Sequence, residues 1–566
     1  MSAASSLTTT EPQRAELKPS DIEIEAQKPP RASHWQLVSS QTHVTEHVLN
    51  HTYLGMGTTE SPFIVDFIPH DPRNPLTFKA SKKWFITFVV AIATMAVAFV
   101  SSAYSGGQAE IIAEFGCSQE VATLGISLFV LGFAIGPLIW APMSELYGRQ
   151  WLFIGTYAGL TAFNAGAAGS QNIWTLIILR FLAGSIGSSP LVNGGGCIAD
   201  MFSANERGLA TALFAAAPFL GPSIGPIVGG FVGQTVGWRW VQGVMAIFTG
   251  VITIVGALTI PETYAPTILK RRAKKLGVMS NGTKVYVSRI EVQNGVKTAK
   301  EEFKIALSRP WVLLFTEPIV LALSIYMAII YGTLYLMFGA FPIVFQGGRG
   351  WSPGVGGLAF LGVAVGMICG VVIIIPGNKM YIRKAAASPG GIALPEARLP
   401  PAMIGSIALP IGLFWFAWTN QASIHWSVCI IATAPFGFGM VLVFLSTINY
   451  LVDTYTIYAS SVLAANSVLR SLFGAAFPLF TSQMYANLGI HWASSIPAFL
   501  ALGCVPLPFL FYKYGPAIRQ KCKYAAKAQA AMADMRKPVA MVAQESGTEI
   551  ELERPIKKVS TYGIIT

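Results

Sequence analysis

Arg180 is a permanent cation in a run of otherwise hydrocarbon-like residues, and that placement asks for chemistry. It lies six residues past Trp174, roughly 9 Å by helical rise, near the limit of what a long side chain relieves by reaching back to an interface. Facing a cavity, the guanidinium would lower the pKa of a neighbouring carboxylate or hold a water, and so help govern proton release. Facing outward, it would anchor a helix end. Glu317, an acid just inside another apolar run and followed by Pro318, is the candidate proton acceptor, with pairing to a nearby loop base as the other reading.

Further residues suit gating and binding rather than bond chemistry. Glu145 and Arg149 stand four apart in Ala141-Pro142-Met143-Ser144-Glu145-Leu146-Tyr147-Gly148-Arg149, a spacing that lets an acid and a base latch helix ends. Asp200, Glu206, Arg207 and Asp453 sit at the ends of apolar runs and read as further latches, Asp453 as a second gate, although acids near helix amino termini are favourable in any case. Gly221, Gly225 and Gly229 interleave with Pro218, Pro222 and Pro226, and Gly230 follows. The glycines let another helix approach closely, while the prolines remove backbone donors. Tyr331, Tyr335 and Phe338 share one helical face, either as the wall of a ligand cavity or as a packing stripe.

Catalysis is not indicated. No Gly directly precedes Lys, so the phosphate-cradling G-x-x-x-x-G-K-[ST] loop is absent. The histidines are scattered, and the cysteines show neither metal nor disulfide spacing. The expectation is a protein that is not an enzyme, with no cofactor, no metal and no ATP.

The elements that must hold these residues are membrane helices. Hydrophobic residues make up 53% of the chain and charged ones 12%, with a mean hydropathy of +0.54, too apolar for a water-soluble protein. A helix crosses about 30 Å of hydrocarbon in roughly 20 residues. Twelve runs qualify, near 84–104, 122–142, 151–169, 174–198, 209–232, 240–260, 311–335, 354–375, 402–419, 425–447, 461–483 and 492–512. The expected organisation is a disordered tail (1–80), a six-helix bundle (84–260), a charged central loop (261–310), a second bundle (311–512) and a tail (513–566). Seventeen Lys and Arg fall in the loops on one side against two on the other, which places both termini in the cytosol and accounts for the +12 net charge without nucleic acid. Asp200-Met201-Phe202 and Asp453-Thr454-Tyr455, each followed at equal distance by Gly221 and Gly474, suggest a duplicated half.

Several of these motifs resemble the major facilitator superfamily, and within it the fungal drug:proton antiporters with twelve spans. The family's loop motif is matched by Ala141, Glu145, Gly148 and Arg149, with Ala for the usual Gly, Glu for the usual Asp, and Gln150 where a second base is common. Its fourth-span motif is matched by Arg180, Gly184 and Gly187, and its antiporter motif by Gly221, Pro222, Gly225, Pro226, Gly229 and Gly230. Pro261-Glu262-Thr263 matches the sequence that ends the sixth span. The resemblance implies an all-α fold of two six-helix bundles related by a pseudo-two-fold axis. It also implies proton-coupled export of amphipathic or cationic molecules (drugs, polyamines or a secondary metabolite), a coupling role for Arg180, a plasma-membrane or vacuolar location, and work as a monomer. A proton-coupled importer and a non-transporting sensor on the same fold are the alternatives.

Overall fold

The computed structural model describes residues 32–534, except 43, 204–205, 296–297 and 388–392. Ten helical stretches among the described residues are long and apolar enough to cross a membrane. One of them, Thr456–Lys521, contains two crossings, because Gly489 (φ 72°, ψ 169°) breaks it. The Tyr485 and Ser494 hydroxyls lie 2.8 Å apart, whereas nine residues of straight helix would separate them by about 13 Å, so the chain reverses there. Arg149–Ala168 completes the set; it is long enough but less apolar than its neighbours.

The twelve spans are Ala80–Ala103, Gln119–Tyr147, Arg149–Ala168, Ile173–Gly187 continued by Ser189–Met201, Arg207–Val236 and Trp238–Thr259, then Pro318–Phe341, Pro353–Gly357 continued by Phe360–Ala387, Pro400–Thr419, Trp426–Thr454, 459–488, and 490–504 continued by Pro506–Lys521. In the first half, span 1 packs on 5, 2 on 4 and 3 on 6; in the second, 7 packs on 11, 8 on 10 and 9 on 12. The repeated pairing is the duplication made physical. Across the molecular axis, span 2 meets 11 and span 5 meets 8, the two contacts that one two-fold rotation would interchange.

Tight reversals rest on glycine. Gly148 (φ 95°) joins spans 2 and 3, and Gly237 (φ 91°) joins spans 5 and 6. A side chain disfavours this backbone region by roughly 1–2 kcal/mol. A Cβ on Gly148 would also lie 2.1 Å from Glu262 Oε2.

Several boundaries differ from expectation: span 8 runs to Ala387 rather than 375 and span 12 to Lys521 rather than 512. Span 7 begins at Pro318 rather than near 311. Trp311–Phe315 is apolar but belongs to a separate helix, Ala299–Thr316, ended by Glu317, whose extended backbone (ψ 103°) is what a residue before proline adopts. The tail expected to be disordered is folded over its described residues between 32 and 79. Its strand Phe63–Val65 (β1) pairs in parallel with Tyr286–Ser288 (β2) of the central segment. Val48, Tyr53, Val65 and Ile68 bury themselves against Leu269, Ala273 and Leu276 of helix Ala265–Met279. The Asp71 carboxylate receives both terminal nitrogens of Arg272 at 2.5 and 3.1 Å, fully buried. Residues 1–31 and 535–566 lie outside the described residues. The face carrying the tail and central segment is called the tail face below, and the opposite one the far face.

Candidate functional site

Arg180 enters the core of the first half with no exposed surface. Its Nε donates to the Gly125 carbonyl at 3.0 Å, Nη1 to Val100 at 3.0 Å and Nη2 to Ser101 at 3.2 Å. The local cause lies in span 1, which gives way to a 3₁₀ turn at Tyr104–Gly107 and so leaves terminal carbonyls without the usual helical donors. The guanidinium also stacks on Phe129 at 4.3 Å and Tyr104 at 5.0 Å. Its hydrogen-bond partners are backbone carbonyls, not the carboxylate that the sequence suggested it would influence.

One step from Arg180 the halves meet through hydroxyls. Ser101 Oγ lies 2.7 Å from Tyr335 Oη, and Tyr331 Oη 3.4 Å from Tyr335 Oη. Tyr331, Tyr335 and Phe338 are all buried and form a ladder with 4.9 and 5.1 Å between successive rings, continued by Phe360 of span 8. They therefore face the axis between the halves and are at the same time packed.

Sequence reasoning missed Arg470. It stands eleven residues into span 11, about 16 Å along the helix, and its guanidinium lies 4.9 Å from the Tyr331 ring and 6.0 Å from Phe444. The signal was available as a charge deep in an apolar run, but no motif surrounds it.

Glu317 does not join this centre. Fully buried at the tail face, its Oε2 accepts from the Tyr455 hydroxyl at 2.9 Å, and its Oε1 from the Tyr524 backbone N–H at 2.8 Å. The carboxylate therefore caps helix Lys523–Asp534, where the expected alternative was a basic side chain. The remaining acids in and beside the spans lie near their ends: Glu110, Glu114 and Glu120 at the far face, and Glu145, Asp200, Glu206, Glu262, Glu396 and Asp453 at the tail face.

The tail-face latches are built twice. In the first half Arg149 Nε meets Asp200 Oδ2 at 3.5 Å, and its guanidinium lies 4.7 Å from the Tyr264 ring. Glu262 Oε1 accepts from the Arg149 N–H at 2.9 Å, and Oε2 from that of Gln150 at 3.3 Å, capping span 3. Glu145, at the exposed end of span 2, adds its charge to the field at Arg149. Ala141 lies one turn earlier on the same helix. Tyr264, outside the spans, has its hydroxyl pKa raised, first by burial and then by Glu145. In the second half Arg398 Nε meets Asp453 Oδ2 at 2.9 Å, with the Tyr381 hydroxyl 3.0 Å from the same oxygen. Each pair closes within its own half. Glu206 approaches Lys83 at 3.9 Å while largely exposed, and the Arg207 side chain lies outside the described residues.

Span 5 carries two close-packing faces. Cβ atoms on Gly221, Gly225 and Gly229 would fall 2.4, 1.9 and 2.0 Å from Met95 O, Ser102 Oγ and Ala103 O, so this stripe is pressed against span 1. A Cβ on Gly230 would instead fall 2.5 Å from Pro353 O, and one on Gly357 2.5 Å from Pro226 O, which locks spans 5 and 8 across the halves. Gln234 Oε1 accepts from the Gly354 N–H at 3.0 Å. Gln483 and Glu120 approach at 3.4 Å across the other seam. At the far face the halves are thus in contact along both seams.

Residues 86–478 match the family model described as Major Facilitator Superfamily. The chain is 62% identical to "MFS-type efflux pump MFS2" of Trichophyton rubrum, over 94% of this chain and 88% of that one. It is 60% identical to "Major facilitator superfamily multidrug transporter mdrA" of Aspergillus fumigatus (93% and 86%), and 54% identical to "Efflux pump FUB11" of Gibberella moniliformis (92% and 87%). Among solved structures it resembles the proton:xylose symporter XylE bound to 6-bromo-6-deoxy-D-glucose, with a TM-score of 0.55 at 16% identity over 77% of this chain and 96% of that one. A partially occluded inward-open form of XylE from E. coli gives 0.56 at 15%, over 77% and 98%.

Proposed function

The chain belongs to the major facilitator superfamily, and from that membership we propose that it exports small amphipathic molecules across the plasma membrane in exchange for protons. The observation that carries the reading is span 5. Its glycine face fixes it to span 1, and the adjacent face packs against span 8 at the far side, so one rigid helix sits at the joint about which the halves rock. The relatives named as efflux pumps and a multidrug transporter support the direction.

In this proposal the tail face is cytosolic, as the basic residues of the central segment favour. The latch at Arg149 and Asp200 and its counterpart at Arg398 and Asp453 stabilise the helix ends whose rearrangement opens that face. Arg180 acts in coupling by holding the carbonyls beside Ser101, the residue that meets Tyr335 across the halves. Glu317 is the proton acceptor proposed at the tail face, where a change in its charge would be felt by the helix it caps.

The test is efflux of the neutral dye Nile red from yeast lacking its own pumps, with and without a protonophore. Efflux that needs both the protein and the proton gradient supports the reading. No efflux of neutral, anionic or cationic dyes, with the protein at the cell surface, overturns it.

A further inference from the structure

We propose that the central site recognises an anionic group, above all a carboxylate, through Arg470. This rests on the export reading and names its substrate class. Two guanidiniums stand near mid-membrane, and they differ in one respect: Arg180 spends its donors on three carbonyls, whereas Arg470 makes no hydrogen bond or ion pair with any described residue. Its Nε is buried without a partner. An uncompensated cation at this depth is costly and persists where a site uses it.

The surroundings are aromatic and bridge the halves. Phe444 lies 6.4 Å from Tyr331 and 5.0 Å from Phe219 of span 5, ring to ring, so an apolar body placed there would touch both halves. A guanidinium held over an aromatic face keeps its planar fork oriented, and that fork matches a carboxylate with two parallel hydrogen bonds. Thr447, one turn along from Phe444, has a buried hydroxyl without a partner. The acids that would favour a cationic substrate lie at the two ends of the spans, away from this centre. In this proposal the guanidinium favours an amphipathic anion over a cation.

Fluorescein and rhodamine 123 share a xanthene skeleton and differ in the sign of their charge. The full chain is expressed in yeast lacking its own pumps, the cells are loaded with fluorescein diacetate or rhodamine 123, and efflux is followed together with that of Nile red. Fluorescein should leave faster than rhodamine, and Arg470→Gln should slow it by about tenfold or more while Arg470→Lys retains part of the rate. In either variant the loss of fluorescein efflux should exceed any loss of Nile red efflux, and an equal loss of both overturns the proposal. Should Arg470→Gln fail to reach the surface, the wild-type protein decides: benzoate should raise its melting temperature and benzamide should not. Rhodamine efflux without fluorescein efflux, or equal stabilisation by benzoate and benzamide, overturns the proposal and leaves export standing. No efflux of any dye removes both.

Discussion

At the scale of single residues, the chain keeps charge in its core by giving each group a separate solution. Arg180 donates to three carbonyls, two of them at the loosened end of span 1, and replacing it leaves those two without that donor at about 1–3 kcal/mol each. Arg180→Lys should restore at most part of this, and melting in detergent measured beside Nile red efflux should show both falling together. Gly148 is bound by conformation and by space. Gly148→Ala should therefore lower efflux sharply, because a methyl there displaces the Glu262 carboxylate from the amino terminus of span 3. The Cys522 thiol, just past the last span, is pushed up to about 11, first by burial and then by the Glu317 carboxylate. Since the thiolate is the reacting form, alkylation of Cys522 by iodoacetamide, with the other five cysteines replaced, should be slow at pH 7 and should rise steadily toward pH 9. Glu317→Gln should hasten it at neutral pH, and an unchanged rate would sink this account of the Cys522 shift. Arg180 was legible as a charge inside an apolar run, and Arg470 offered the same signal, but its meaning lies in Tyr331 and Phe444, more than a hundred and about twenty-five residues away.

At the scale of elements, most spans were legible because length and apolarity are local properties. The start of span 7 was not, since Trp311–Phe315 has the composition of a span and only the break at Glu317 and Pro318 ends it. The glycine stripe of span 5 was readable as a close-packing face, but the identity of its partner, span 1, was not. Least visible was the three-residue pairing of β1 with β2, whose strands lie some two hundred residues apart and carry no sequence signature. It depends on the buried pair of Asp71 and Arg272, and stranding one charge of such a pair costs about 3–5 kcal/mol. Asp71→Ala should expose Lys270–Lys275 to trypsin faster than in the wild type while the spans keep their helical circular dichroism.

At the scale of the whole molecule, the two halves touch through seams that one rotation exchanges, span 2 with 11 and span 5 with 8. Rocking requires that the far end of the second seam open. Cysteines at Gln234 and Gly354, introduced into a cysteine-free background and oxidised to a disulfide, should abolish efflux, and reduction should restore it. Undiminished efflux from the cross-linked protein would rule out opening at that seam. The plan of two halves could be read from hydropathy and the charged interval between them, but the far-face contact could not, since it is made between glycines and distant carbonyls. The folded tail changes where the first half ends. Because residues 63–73 hold residues 265–289 in place, the amino-terminal strip and the central strip are parts of one tether, although the whole first bundle separates them in the chain. A chimera that takes one half from a relative must therefore carry both strips from the same parent, or the graft will join two bodies with mismatched ends of a single hinge.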